Sequence, residues 1–217
     1  VFGESIPARF GAEAIRIADP DGLLVELIES AQLDDVDLEY ESEVPEKFAI
    51  HGFHAPTLEV RKSQSTERVL KTLGFELVDE SDSRRRFAVD SKLTSAQIDL
   101  VERSDGTFGV NSAGTVHHIA FRCADDEEQL HWREQMIDLG MHVTPVIDRF
   151  YFHSIYFREP GGILFEIATD GPGFTVDEPA AHLGETLKLP PQYEQHRAEI
   201  EHALPPISPG PKTKSVG

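Results

Sequence analysis

Cysteine is almost absent from this 217-residue chain: Cys123 stands alone. A single thiol excludes an intramolecular disulfide framework and suits a reducing interior, so the expected location is cytoplasmic. Cys123 itself falls in an apolar stretch and reads as a buried, unreactive thiol. Long apolar runs are lacking as well. None nears the roughly 20 residues that a membrane-crossing helix needs, and no basic-then-apolar leader is legible. Positive charge is scarce: 20 basic residues face 39 acidic ones, for a formal net charge of −19. A surface of that sign repels phosphate backbones and anionic lipid, which argues against nucleic acid and membrane as partners. Acids crowd Asp34–Glu46 and lysine is scarcer than arginine. Such a surface stays soluble in high salt, so it fits a halophilic source as well as an ordinary acidic bacterial enzyme.

What the chain does have is repetition. Asp19-Pro20-Asp21-Gly22-Leu-Leu-Val-Glu26-Leu matches Glu159-Pro160-Gly161-Gly162-Ile-Leu-Phe-Glu166-Ile at a constant offset of 140. Each is a Pro/Gly turn feeding an apolar strand that carries one glutamate at the same place. Alternating strands, Ala14–Ala18 and Ser154–Arg158, precede them. A second echo links Gly52–Val60 to Val116–Cys123, each followed by an amphipathic helix and a Leu-Gly stop: Ser65–Gly74 and Asp126–Gly140. The predicted unit is strand, helix, then three strands. Later strands fall at Phe75–Glu80, Arg86–Asp90 and Gln97–Glu102 in one unit, and at His142–Ile147, Tyr151–Phe157 and Ile163–Ala168 in the other. The fold class is therefore α+β, with repeated βαβββ modules whose curved mixed sheets surround a cleft. Residues 1–30 read as the back half of an incomplete module and 31–50 as an acidic linker. Full modules follow at 51–112 and 113–172, then a tail at 173–217 with a short helix over Tyr193–Leu204.

One pair of residues carries chemistry. His118 lies in Gly-Thr-Val-His-His-Ile-Ala-Phe and Glu166 in Ile-Leu-Phe-Glu-Ile-Ala. If those strands neighbour each other, both side chains face one concave surface. Glu166 sits in a run too apolar to bury a carboxylate without a partner, and a metal is the best partner available. An imidazole and a carboxylate on rigid strands supply two members of the 2-His-1-carboxylate set of non-haem Fe(II) oxygenases.

Repeated βαβββ units with a histidine on a first strand and a glutamate on a last strand resemble the vicinal oxygen chelate superfamily, the glyoxalase/bleomycin-resistance/dioxygenase fold. More narrowly, four segments of the last module resemble the glyoxalase-family ring-cleaving dioxygenases of the hydroquinone-specific kind. They are Gly114–Arg122, His142–Arg149, Ser154–Gly162 and Leu164–Asp170. The tail segments Gly173–Pro179, Leu187–Pro191, Arg197–Glu201 and Leu204–Pro206 carry the same resemblance. It implies an extradiol-type enzyme that uses Fe(II), with Mn(II) as the alternative, to insert both atoms of O₂ into a small aromatic diol of the hydroquinone or catechol type. The implied ligands are His118 and Glu166, with His117 pointing the other way. For the third ligand the resemblance offers His54. Aligning Pro56-Thr57-Leu58 with Ile119-Ala120-Phe121 instead puts Ala55 opposite His118, so a histidine of a preceding module is the other candidate. Such proteins carry four modules, and this chain is expected to lack the first.

Tyr156 is the implied substrate-contacting phenol. Where catechol-cleaving relatives carry an acid–base histidine this chain has Ile147, which leaves His153, Asp148, Arg149 and His142 as substitutes, His153 first among them. Glu26 and Glu102 read as relics of the metal position, His51 as exposed, and Trp132 and Met136 as core. Two other readings remain open: a glyoxalase-type isomerase or lyase, and a non-catalytic protein that sequesters a small molecule. A homo-oligomer is compatible with each.

Overall fold

The structure, a computed structural model, describes residues 3–29, 45, 48–89, 96–105, 109–110 and 112–205. Three sheets account for its strands. The first holds β1 (Glu4–Arg9), β2 (Ala12–Ala18) and β3 (Leu24–Ile28) in that order. The second runs β4-β7-β6-β5, from β4 (Thr57–Val60), β5 (Glu76–Ser81), β6 (Arg84–Ala88) and β7 (Gln97–Glu102). The third runs β8-β11-β10-β9, from β8 (Ile119–Cys123), β9 (Ile147–Asp148), β10 (Phe152–Arg158) and β11 (Leu164–Pro172). In both four-stranded sheets the first strand pairs parallel with the last, β4 with β7 and β8 with β11, while the other pairs are antiparallel. Parallel neighbours need a crossover. Helices α1 (Ser63–Thr72) and α2 (Asp126–Asp138) begin those crossovers. The fold is thus α+β, with repeated βαβββ-like modules and mixed sheets.

The 140-residue repeat extends to individual hydrogen bonds. Asp19 Oδ1 accepts from the backbone N–H groups of Asp21 and Leu23. The Glu159 carboxylate accepts from those of Gly161 and Ile163, two and four residues on in both cases. Backbone bonds from Gly22 to Asp19 and from Gly162 to Glu159 close the same turn. An acid ahead of Pro-Xaa-Gly thus ties down the donors that a tight turn leaves free.

Several boundaries depart from the expected ones. The strand expected over Gly52–Val60 starts only at Thr57, because Pro56 has no N–H to enter a ladder and its carbonyl instead accepts from Asp99 N. His142–Ile147 contributes only the two-residue β9. There Thr144 bonds β10 at Tyr156 through both its backbone and its hydroxyl, and Pro145 interrupts the ladder. The tail helix is a 3-10 turn over Pro191–His196 followed by α3 (Arg197–Ala203). Nearly all of the acidic linker lies outside the described residues.

One core joins the two complete modules. Leu58, Leu70, Phe87 and Leu100 of the second sheet and its helix form a single cluster with Met136, Ile155, Phe157, Phe165 and Ile167 of the third. Phe121 bridges them edge-on, 5.8 Å from Phe75 and 5.0 Å from Phe165 between ring centroids. The polar tie across this junction is Glu159, which is buried and accepts from Thr66 Oγ1 on α1 at 2.6 Å. Gly161 lets the modules close: a Cβ there would stand 2.5 Å from Val60 Cγ1 and 2.6 Å from Glu159 Oε1. Gly161→Ala is therefore expected to lower unfolding free energy by about 1–3 kcal/mol in urea titrations. Gly109→Ala, where a Cβ meets nothing within 4 Å, is the near-neutral control.

Candidate metal centre

Strand β11 lies between β8 and β10, and Glu166 is its third residue. The register sets Glu166 beside Tyr156 on one side and Ala120 on the other. His118 precedes Ala120 by two residues, just ahead of β8. Alternation along β10 puts Ser154 and Tyr156 on one face. Glu166 Oε1 accepts from the Tyr156 hydroxyl at 2.7 Å and from Ser154 Oγ, and its Oε2 is 2.8 Å from His118 Nε2. Two further groups extend the cluster. His117 Nδ1 is 2.8 Å from His118 Nδ1, and Arg149 Nη2 donates to the Tyr156 hydroxyl at 3.3 Å with its guanidinium 5.4 Å from the ring centroid.

Glu166 is only 3 % exposed. A buried carboxylate needs compensation, and the three sheets supply it differently. In the second sheet Asp99 pairs with Thr57 and Arg86 in the register that Glu166 makes with Ala120 and Tyr156. Asp99 is 2 % exposed and receives Arg86 Nε at 2.7 Å, Arg86 Nη2 at 3.0 Å and Arg84 Nη1 at 2.9 Å. In the first sheet Glu26 stands opposite Arg16. It is clamped by Arg9 through two bonds of 2.8 and 2.6 Å and by Arg16 at 2.9 Å. Bonding to Arg9 outweighs desolvation there and holds the Glu26 carboxyl down to about 2. Arginine thus fills the role that Tyr156 takes beside Glu166. Among the three acids only Glu166 has no arginine on it; its cation-capable neighbour is His118.

The sequence pointed to Glu26 and Glu102 as the counterparts of Glu166. The register confirms the first position and replaces the second with Asp99. Glu102 instead caps α1, accepting from Ser63 N at 2.9 Å and from the Ser63 hydroxyl. His118, Glu166 and Tyr156 come together. His117 does not turn away as expected: it stands before β8 begins, where strand alternation does not apply, and its ring meets that of His118 edge-on. His54 stands apart. Its electrostatic neighbours are Arg86 and Asp99, and burial, then Arg86, lowers its pKa. Ala55, two residues before Thr57, holds the place of His118, as one residue of slip requires. His153 is on the other face of β10, its Nδ1 2.6 Å from Asp126 at the start of α2. Among the described residues no group of three His, Cys, Asp or Glu is arranged to hold a metal ion. Ser154 and the Arg149–Tyr156 contact were not legible beforehand; the period-two spacing of Ser154, Tyr156 and Arg158 was the signal for the serine.

The donor set fits a first-row divalent metal in part. An imidazole nitrogen and a carboxylate oxygen converge, backed by groups that orient both, as ligands are commonly supported. Two positions of a 2-His-1-carboxylate set are filled and the third is not.

Asp99 and Glu166 make opposite demands on the metal-free fold. Asp99→Asn leaves Arg84 and Arg86 short of a counter-charge and is expected to cost about 3 kcal/mol or more. Glu166→Gln removes a buried charge while keeping an oxygen for Ser154 and Tyr156, so its expected effect is neutral to about 1 kcal/mol stabilising. Urea unfolding in excess chelator checks both.

A family profile described as the Glyoxalase/Bleomycin resistance protein/Dioxygenase superfamily matches residues 69–167. The chain is 43 % identical over 200 residues to a Bacillus subtilis (strain 168) protein named "Putative ring-cleaving dioxygenase MhqO", covering 92 % of this chain and 63 % of that protein. It is 33 % identical over 204 residues to the chlorohydroquinone/hydroquinone 1,2-dioxygenase of Sphingobium indicum, covering 88 % and 61 %. It spans about three-fifths of the length of these relatives. The crystal structure of a "putative dioxygenase" from Bacillus subtilis superposes with a TM-score of 0.85 at 42 % identity, covering 95 % of this chain and 66 % of that one. Among the described residues no helix is long and apolar enough to cross a membrane. The repeated modules, the His118–Glu166 pair and these likenesses lead to one conclusion: the chain belongs to the glyoxalase/bleomycin resistance protein/dioxygenase superfamily.

Proposed function

We propose that this chain carries the metal-binding, substrate-facing part of a ring-cleaving dioxygenase that opens hydroquinone- or catechol-type aromatics with O₂. The observation that carries the reading is Glu166, the one acid of three at equivalent positions that is offered to a histidine and two hydroxyls instead of to arginine. The names of the relatives support the reaction class, and that of the Sphingobium relative supports a hydroquinone as substrate. Fe(II), with Mn(II) as the alternative, would bind His118 and Glu166 and supply acidification of a bound phenol and activation of O₂. The third ligand is assigned outside the described residues, because His54 keeps company with Arg86 and Asp99.

The chain's own groups then have distinct tasks. With a proton on His118 Nδ1 donated to His117, the Nε2 of His118 presents its lone pair towards Glu166. With the proton on Nε2, it donates to Glu166 instead, so the histidine pair lets His118 change tautomer without losing its partner. Tyr156 holds a proton at its hydroxyl beside Glu166 Oε1, within reach of a substrate oxygen brought to the same carboxylate. Arg149 donates to that hydroxyl and stabilises negative charge developing there or on the substrate. A hydroquinone cannot chelate through both para oxygens, so it binds at one point and leaves its far hydroxyl to a base. His153, held by Asp126 behind the strand, is not assigned that task.

Anaerobic reconstitution of the chain with Fe(II), followed by metal analysis and O₂ uptake with chlorohydroquinone, tests the proposal. Iron is expected to be lost from His118→Ala and Glu166→Ala and retained by His54→Ala. Tyr156→Phe is expected to keep iron while lowering kcat by about 10²-fold. Metal bound at His118 and Glu166, with isomerase activity or simple ligand retention and no O₂ consumption, would overturn the dioxygenase reading.

A further inference from the structure

Four arginines occupy the region between the first two sheets, at the places where the third sheet builds its metal centre. The sheets meet there: the Arg86 guanidinium stacks 4.3 Å from the centroid of Phe10, Arg9 feels the charge of Asp99, and Glu26 that of Arg84. Among the described residues Arg9, Arg16, Arg84 and Arg86 oppose only Glu26 and Asp99, which leaves the cluster two more positive charges than negative ones in a chain of net charge −19. Arg9, Arg84 and Arg86 are largely buried, with side-chain exposures of 12, 15 and 11 %. Among the described residues two polar atoms of the region are buried without a hydrogen-bond partner, Arg16 Nε and His54 Nε2. Burial and Arg86 both disfavour the charged form of His54, which leaves it a neutral member of the group.

A buried donor without an acceptor and a surplus of guanidinium call for the same thing, an oxygen-rich anion. We propose that the region between the first and second sheets binds a small oxyanion of the carboxylate or phosphate class, with Arg16 and His54 contributing their unpartnered nitrogens and Arg84 and Arg86 the field. Glu26 and Asp99 hold the guanidinium groups in place and limit the positive charge. The site is separate from the His118–Glu166 centre and does not rest on the reaction assigned to it.

Calorimetric titration and thermal melting of the chain with inorganic phosphate and with succinate, against sodium chloride of matched ionic strength, test this. Saturable binding of one anion or the other, beyond the chloride effect, is expected, and the two arms separate a phosphoryl from a carboxylate ligand. Arg16→Gln is expected to weaken it about tenfold, as loss of a charge-assisted bond implies. Glu26→Gln is expected to tighten binding even while lowering the melting temperature, because it removes a competing carboxylate. A purely structural cluster does not predict that tightening. Should either variant fail to fold, Arg16→Lys keeps the charge without Nε and is expected to weaken binding as well. Melting shifts shared equally by chloride, or an affinity unmoved by the folded variants, overturn the proposal.

Discussion

An acid at the third residue of a sheet's last strand must be neutralised where it is withdrawn from water, and this chain meets that requirement at the buried Asp99 and Glu166 and at the half-buried Glu26. The position is fixed by register, flanked by the strand before it on one side and, in the two complete modules, by the first strand of the module on the other. Two arginines on Asp99 and two on Glu26 take up those carboxylates and leave neither open to a cation. Around Glu166 the neighbours are a phenol, a serine and an imidazole, which hydrogen-bond the carboxylate while leaving it able to take a cation. The same position thus carries arginine ion pairs in two copies of the repeat and, with His118 beside it, a candidate metal centre in the third.

The rest of the molecule keeps that copy rigid. The core is shared by both complete modules, so β11 is backed by Phe165 and Ile167 on one face while Glu166 works on the other. Gln129 of α2 reaches through to donate to the carbonyls of His153 and Ile167, fastening the helix to both strands. At the module junction Glu159 satisfies two backbone donors of its own turn and the Thr66 hydroxyl of the neighbouring module at once. A site held on central strands with such backing is positioned far more closely than one on loops.

Much of this was legible beforehand because strands and turns speak through short periods. The 140-residue offset found the turns at Asp19 and Glu159 and the acids Glu26 and Glu166, and the βαβββ order followed from it. What failed did so for local reasons. His117 lies two residues ahead of β8, where alternation does not govern it, and Pro56 shortens β4 so that no ladder fixes the direction of His54. Glu102 matched by carrying the 48-residue separation of His118 and Glu166 over to His54, whereas the ladder pairs Thr57, two residues after Ala55, with Asp99, only 44 residues beyond Ala55. His153 differs again: its residue type suits a proton carrier, but strand alternation from Tyr156 puts it on the helix side, where it meets Asp126. Arg149 belongs to the turn between β9 and β10, where no period predicts direction; a left-handed Phe150 at φ 70° sets that turn.

The parallel pairing of β8 with β11 has a consequence for when the site can exist. His118 and Glu166 are 48 residues apart in sequence and become neighbours only after α2, β9 and β10 have been laid down between them. On a growing chain His117 and His118 emerge first and have no carboxylate to share an ion with. Closing a loop of that length is an entropic cost that the βαβββ unit meets through its core. The His118–Glu166 pair is thus a late feature, present in a finished module and absent from a partly made one.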